Sequence, residues 1–281
     1  MRISAVLHNK FKELKDVSKL ALSFSGCGFL GAYNFGAASR LMKEEEIIRK
    51  KVDRIAGASA GSLVAAILVL APEKLDAGIE TLYSMADQVH SRPFGAMTPG
   101  YYLNDQLVRV QIRKNSLKKL KKFQIIDDFL PKDIEKAQGK LHVSITKYKN
   151  WENFIINKFD SREHLISCLL ASCYIPMYSM GYRGVPPVIN EEEYIDGGMT
   201  NNLPVFEDVK TITCSPFSSL ADICPEDPST WNVVLGKQTF KASRRNLLRG
   251  ARALFPPNRH ILKEYYDMGH SDADRFIQGK I

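Results

Sequence analysis

Gly57-Ala58-Ser59-Ala60-Gly61 is a G-x-S-x-G pentapeptide set between an apolar strand and an apolar helix. In that setting the pattern reads as a nucleophile elbow, a strained strand-to-helix turn that presents the serine hydroxyl at the strand's C-terminal edge. Gly57 and Gly61 spare the neighbouring strand and helix a side-chain collision, and the helix N-terminus favours negative charge developing beside Ser59. A second glycine-rich turn, Gly26-Cys27-Gly28-Phe29-Leu30-Gly31, also follows a strand and precedes a helix. Its literal form is G-x-G-x-x-G, but dinucleotide binding requires an acidic residue at the end of the second strand. Asp53 falls at that strand's start, and the Ser59 motif occupies its end. The loop still offers backbone N–H groups for an anion, either a phosphate or the oxyanion of an acyl-transfer intermediate. Asp196-Gly197-Gly198 follows a short strand at Tyr194-Ile195 and supplies a carboxylate. An attacking serine needs such a base within hydrogen-bond reach. His260 and His270 follow Asp196 in the order of a hydrolase triad, but their polar surroundings read as surface. His142 and His164 have no supporting pattern.

These residues need elements to hold them. Leu20 to Phe24 and Val52 to Ala56 read as strands, with a helix from about Ala32 to Ile48 between them. Ser62 to Leu70 is too long an apolar run for a strand and predicts a buried helix. Glu73 to His90 predicts another helix, Ser91 to Gly100 a loop, and Leu103 to about Arg113 a further helix. Leu141 to Thr146 alternates as a strand and pairs naturally with Phe154 to Phe159. Arg162 to Tyr174 predicts a helix and Thr211 to Ser215 a late strand. Strands alternating with helices predict a layered α/β fold. Ser59 and Asp196 both fall at strand ends, where parallel sheets gather their sites.

The chain has 281 residues, 44% apolar and 25% charged, with a formal charge of +8. That composition excludes disordered and low-complexity classes, and the length suits one domain behind a short extension, residues 1–18. The positive balance suits an anionic partner such as a phospholipid surface or nucleic acid without choosing between them. Five cysteines with no C-x-x-C pair argue against a disulfide framework or a zinc site and suit a reducing cytoplasm. The N-terminus lacks the apolar region of a secretory signal. The longest apolar run, Leu63 to Ala71, is far short of the ~20 residues that span a bilayer, so membrane contact is expected to be peripheral.

Taken together and in order, Ser25-Gly26-Cys27-Gly28-Phe29-Leu30-Gly31, Gly57 to Gly61 and Asp196 to Gly198 resemble the patatin-like phospholipase family. Leu30 stands where plant patatins carry Arg, which is similar to the family's animal neutral-lipid branch. The resemblance runs from about Leu20 nearly to Ile281 and implies an α/β/α fold with a mostly parallel central sheet. It further implies a Ser–Asp dyad without histidine, with Ser59 as nucleophile, Asp196 as general base, and Gly26, Cys27 and Gly28 as oxyanion-hole amides. No metal or organic cofactor is implied. The substrate class would be a neutral lipid or phospholipid ester, with hydrolysis or acyl transfer as outcome. The expected setting is a membrane or lipid-droplet surface, with a lipase coactivator protein as a candidate partner and no nucleic acid. The other reading of the same residues is a catalytically weak lipid-binding or lipase-regulating scaffold.

Lys237 to Phe255, read as one helix, carries Lys237, Lys241, Arg244, Arg245, Arg249 and Arg252 against an apolar face. Two readings stand: a basic amphipathic helix on anionic lipid, or an apolar face packed on the core with solvated arginines. Lys114 to Lys122 is a second basic candidate. Tyr101-Tyr102 and Met177-Tyr178-Ser179-Met180 line either an acyl pocket or the core.

Overall fold

A computed structural model describes residues 10–92, 98, 108–110, 122–179, 184–235 and 237–279. Tyr101, Tyr102, Met180 and residues 114–121 lie outside the described residues. In chain order the main elements are β1 (Leu20–Phe24), α1 (Gly31–Leu41), β2 (Val52–Ala58), α2 (Ala60–Leu70), α3 (Leu75–His90), β3 (Leu141–Lys147) and β4 (Asn153–Ile156). There follow α4 (Arg162–Ser172), β5 (Val188–Ile189), β6 (Glu192–Asp196), β7 (Lys210–Cys214), β8 (Asn232–Leu235), β9 (Gln238–Lys241), α5 (Arg244–Leu254) and α6 (Arg259–Ile277).

Seven strands form the central sheet in the order β5-β6-β3-β2-β1-β7, with β4 also paired to β3. The β3-β2-β1-β7 core is parallel, whereas β4 and β6 run antiparallel to β3. All five residues of β1 are buried, as a central strand covered on both faces requires. α2 is apolar almost all round, and a helix of that kind must be buried; Val64 to Leu70 are each at most 7% exposed. The N-terminal segment joins the same core: Phe11 and Leu14 are buried, and the Phe11 ring stands edge-on to Phe276 of α6 at 5.6 Å.

Three expected helices differ. The one expected to run to about Ile48 ends at Leu41, and Glu45–Arg49 form a separate π-helical turn. The helix expected from Leu103 to Arg113 is overturned at Val108–Val110, which form a short antiparallel ribbon with Lys122–Gln124. Lys237 to Phe255 is not one helix. β9 takes Gln238 to Lys241 in a hairpin with β8, and Ser243 then caps α5 by accepting from the Asn246 N–H. The alternating Thr239-Phe240-Lys241 has a strand's period of two, and the Ser243 cap sets the helix start.

Candidate active site

β2 ends at Ala58 and α2 begins at Ala60, so Ser59 alone makes the turn, at φ 51° and ψ −131°. Residues with a Cβ populate that region sparsely, at a cost on the order of 1–3 kcal/mol. The surroundings hold it there. The Ser59 N–H donates to Ser172 Oγ at 2.8 Å, and Ser172 Oγ donates to the Ser144 carbonyl at 2.8 Å. The Ser62 N–H and hydroxyl both bond back to the Ser59 carbonyl, at 2.9 and 2.7 Å. The turn is also closely packed: a Cβ on Gly57 would lie 2.4 Å from the Gly61 backbone, and one on Gly61 would lie 2.2 Å from the Phe24 carbonyl oxygen.

Asp196 is the last residue of β6 and is 4% exposed. The Gly198 N–H donates to its Oδ1 at 2.7 Å, and the Ser59 side chain lies near enough to the same carboxyl to lower its pKa. Burial pushes the carboxyl up from 3.8 to about 6, against the downward pull of the nearby Ser59 side chain and of the Gly198 N–H. Thr146 Oγ1 donates to the Asp196 carbonyl at 2.9 Å. Gly197 lies so close to β3 that a Cβ there would sit 2.1 Å from the Ser144 carbonyl oxygen. Asp196 therefore reaches Ser59 on an antiparallel strand, not at the C-terminal end of a parallel one.

The glycine loop lies against Ser59. A Cβ on Gly26 would come 2.9 Å from Ser59 Cβ. The Gly26 N–H donates to the Asn202 carbonyl at 3.3 Å. The N–H groups of Cys27 and Gly28 have no hydrogen-bond acceptor among the described residues. Gly28 adopts φ +51° at the first position of a single 3-10 turn, and Gly31 opens α1 behind it. The Cys27 side chain points inward, where Asn34 Nδ2 donates to its sulfur at 3.4 Å. Burial raises the thiols of Cys27 and Cys173, and the Asp196 charge pushes both the same way. Both thus stay protonated at neutral pH, and neither competes with Ser59 as a nucleophile.

An apolar cavity opens beside Ser59, walled by Phe29 and Phe35, by Leu63 and Ile67 of α2, and by Ala253 and Leu254 of α5. Tyr178 lines it as expected of a pocket residue, whereas Met177 is 69% exposed. Neither His260 nor His270 lies on this wall; His260 is solvent-facing beside Glu264. His142 is buried edge-on to Phe206, and His164 caps a turn by accepting from the Asp160 N–H.

The family described as patatin-like phospholipase matches residues 22–209. The chain belongs to that family. Human patatin-like phospholipase domain-containing protein 4 is 39% identical over 91% of this chain and 95% of its own length. Mouse patatin-like phospholipase domain-containing protein 2 is 36% identical over 93% of this chain, which spans only 50% of that relative. Mouse omega-hydroxyceramide transacylase is 35% identical over 92% of this chain and 40% of its own length. In this patatin-like chain sequence reasoning missed Ser172, which pins the elbow backbone, and Asn202, whose Oδ1 a Cβ on either Gly26 or Gly198 would meet at 2.6 or 2.8 Å. Asn202 Nδ2 donates to Gln238 Oε1 at 2.7 Å. Ser172, Asn202 and Gln238 are polar residues that belong to no motif, and only the fold brings them to the site.

Proposed function

We propose that this chain is a serine lipid-ester hydrolase with acyl-transfer capacity, acting through a Ser59–Asp196 dyad. The observation that carries the reading is Ser59, held at a positive-φ elbow and set one register step across β3 from the buried Asp196 carboxyl. Asp196 takes the hydroxyl proton as Ser59 Oγ attacks the ester carbonyl. The negative charge formed on the carbonyl oxygen is met by the free N–H groups of Cys27 and Gly28, with the Gly26 amide committed to Asn202. The proton returns from Asp196 to the leaving alcohol, and water or a second lipid alcohol then resolves the acyl-enzyme. A carboxyl near pKa 6 is ionised at neutral pH yet basic enough to accept that proton.

The apolar wall beside Ser59 suits a long acyl chain. Triacylglycerol, retinyl ester and phospholipid all present one, and the relatives' names include a phospholipase domain and a transacylase. Such substrates place the protein peripherally at a membrane or lipid droplet. Among the described residues no helix is long and apolar enough to cross a membrane. Labelling with an alkyl fluorophosphonate tests the dyad. The unaltered chain is expected to label at Ser59, Ser59→Ala not at all, and Asp196→Asn far more slowly. Labelling that survives Ser59→Ala would overturn the assignment.

A further inference from the structure

α5 is turned inside out. Arg249 is 7% exposed, and its guanidinium donates to Ser218 Oγ at 2.8 Å and Asn246 Oδ1 at 2.9 Å. Leu247 is 77% exposed and Leu248 49%. Ala251, Leu254 and Phe255 are exposed as well, which completes one apolar stripe at i, i+1, i+4, i+7 and i+8 on the solvent side. The neighbouring hairpin repeats the inversion. Val233, Val234 and Leu235 of β8 are all exposed, after an exposed Trp231. Successive strand residues point to opposite faces, so β8 stands free on both. Among the described residues β9 ties the ribbon down, through buried Gln238 and through Phe240, edge-on to Phe217 at 5.7 Å. Asn246 Nδ2 joins ribbon to helix by donating to the carbonyls of Ser218 and Lys241.

Scattered exposed apolar side chains are ordinary, but a contiguous set marks an interaction surface. We propose that the free face of α5 and the β8–β9 ribbon dock this protein on an anionic lipid surface. The stripe includes Leu254, which also walls the cavity beside Ser59, so an acyl chain could pass from lipid to site without crossing water. Lys237, Arg244 and Arg245 are exposed along the same elements, and the whole chain carries +8. Those charges match phosphate headgroups. Trp231 supplies an indole, the side chain that favours the boundary between lipid and water. The passage of substrate rests on the hydrolase reading; the docking does not.

The test uses the full chain carrying Trp151→Phe, which leaves Trp231 as the sole indole of the two in the sequence. Phosphatidylcholine vesicles containing phosphatidylserine are expected to sediment the protein and shift Trp231 emission to the blue. Leu247→Ser with Leu248→Ser should weaken partitioning at least about tenfold, because both leucines lose their transfer into the apolar phase. Arg244→Glu with Arg245→Glu should weaken it at low salt, with the difference shrinking as salt rises. All four side chains are exposed, and a thermal melt checks that each variant folds. The proposal is overturned if the protein does not partition, or if the leucine variant partitions equally. It is equally overturned if that variant loses self-association in buffer with vesicle binding unchanged, which would make the face a protein interface. Hydrolysis of a short soluble ester is read in parallel. Docking without hydrolysis would sink the hydrolase reading alone, and hydrolysis without docking would sink this proposal alone.

Discussion

Ser59 and Asp196 meet across the single strand β3. Ala58 pairs in parallel with Ser144, and Asp196 pairs antiparallel with the next residue, Ile145. The elbow that leaves β2 and the turn that leaves β6 are therefore held one register step apart by the same backbone. Ser144 serves both turns: its carbonyl accepts from Ser172, which grips Ser59, and lies against Gly197. Ser172→Ala should remove the acceptor of the Ser59 N–H and leave that buried donor unpaired, a loss of about 1–3 kcal/mol. Chemical denaturation would read the stability, and the fluorophosphonate labelling rate should fall with it.

The elbow's backbone strain can be separated from its chemistry. Ser59→Ala and Ser59→Gly should both abolish ester hydrolysis, since neither carries a nucleophile. Glycine adopts φ 51°, ψ −131° without the steric cost of a Cβ. Ser59→Gly is therefore expected to be more stable than Ser59→Ala by on the order of 1–2 kcal/mol in a denaturant midpoint comparison. Equal stabilities would mean that the turn is relaxed.

The Asp196 carboxyl, held near 6 by burial, gives activity and stability opposite pH slopes. In the proposed dyad Asp196 works ionised, so kcat/KM on a soluble ester should rise through about pH 6 and then level off. For stability, a folded pKa raised above the unfolded 3.8 means that the folded state holds the proton more tightly. This contribution is full below about pH 4 and is lost as pH rises through about 6. Asp196→Asn should therefore raise the melting temperature at pH 7.5 and much less at pH 4. A shift of about two pKa units corresponds to on the order of 2–3 kcal/mol at neutral pH. A pH-independent gain would point to packing in place of charge burial.

The three motifs were legible because each encodes a local backbone demand: a serine between glycines after an apolar strand, glycines before a helix, and Asp-Gly-Gly after a strand. The strands around Leu20–Phe24, Leu141–Lys147 and Lys210–Cys214 were legible from apolar runs and alternation. The antiparallel direction of β6 was not, because strand direction is set by long-range pairing that leaves no local mark. The split of Lys237 to Phe255 into ribbon and helix was obscured by residues that satisfy both periods. Arg249 inside and Leu247 outside invert the rule by which a helix face is assigned, so no pattern argument could orient α5. Asn202 and Gln238 were missed for a simpler reason: a lone amide carries no signal until its neighbours in space are known.

Gly28 combines two constraints that a substitution can separate. Its φ is +51°, and a Cβ there would lie 2.1 Å from the Ala253 carbonyl oxygen of α5. Gly139, at φ +67° with open space around it, carries only the first constraint. Gly139→Ala should cost about 1–2 kcal/mol, the usual penalty for a left-handed residue with a Cβ. Gly28→Ala should cost more, because α5 must shift, and should also displace an amide that the proposed mechanism assigns to the oxyanion. A turnover loss of about 10²–10³ is expected from one missing oxyanion donor. A Gly28→Ala protein that melts like Gly139→Ala and keeps full turnover would remove the loop from the mechanism.

Gln238 is expected to act as a positioning residue. It is 6% exposed on β9, and its Oε1 accepts from Asn202 Nδ2 at 2.7 Å. The Asn202 carbonyl in turn accepts the Gly26 N–H, and its Oδ1 packs between Gly26 and Gly198. The glycine loop and the turn after Asp196 are thus joined through one side chain, which the ribbon holds. Gln238→Leu removes the acceptor of the half-buried Asn202 amide, which should lower stability by about 1 kcal/mol. If Asn202 sets the spacing between the two turns, kcat on a soluble ester should also fall, on the order of tenfold, with KM little changed. The apolar cavity beside Ser59, which Gln238 does not line, is untouched, so ground-state binding should be spared. Gln238→Glu keeps an acceptor at the same reach and should recover part of kcat even where the melting temperature is not recovered. A drop in melting temperature with kcat intact in both variants would reduce the ribbon's role at this point to packing alone.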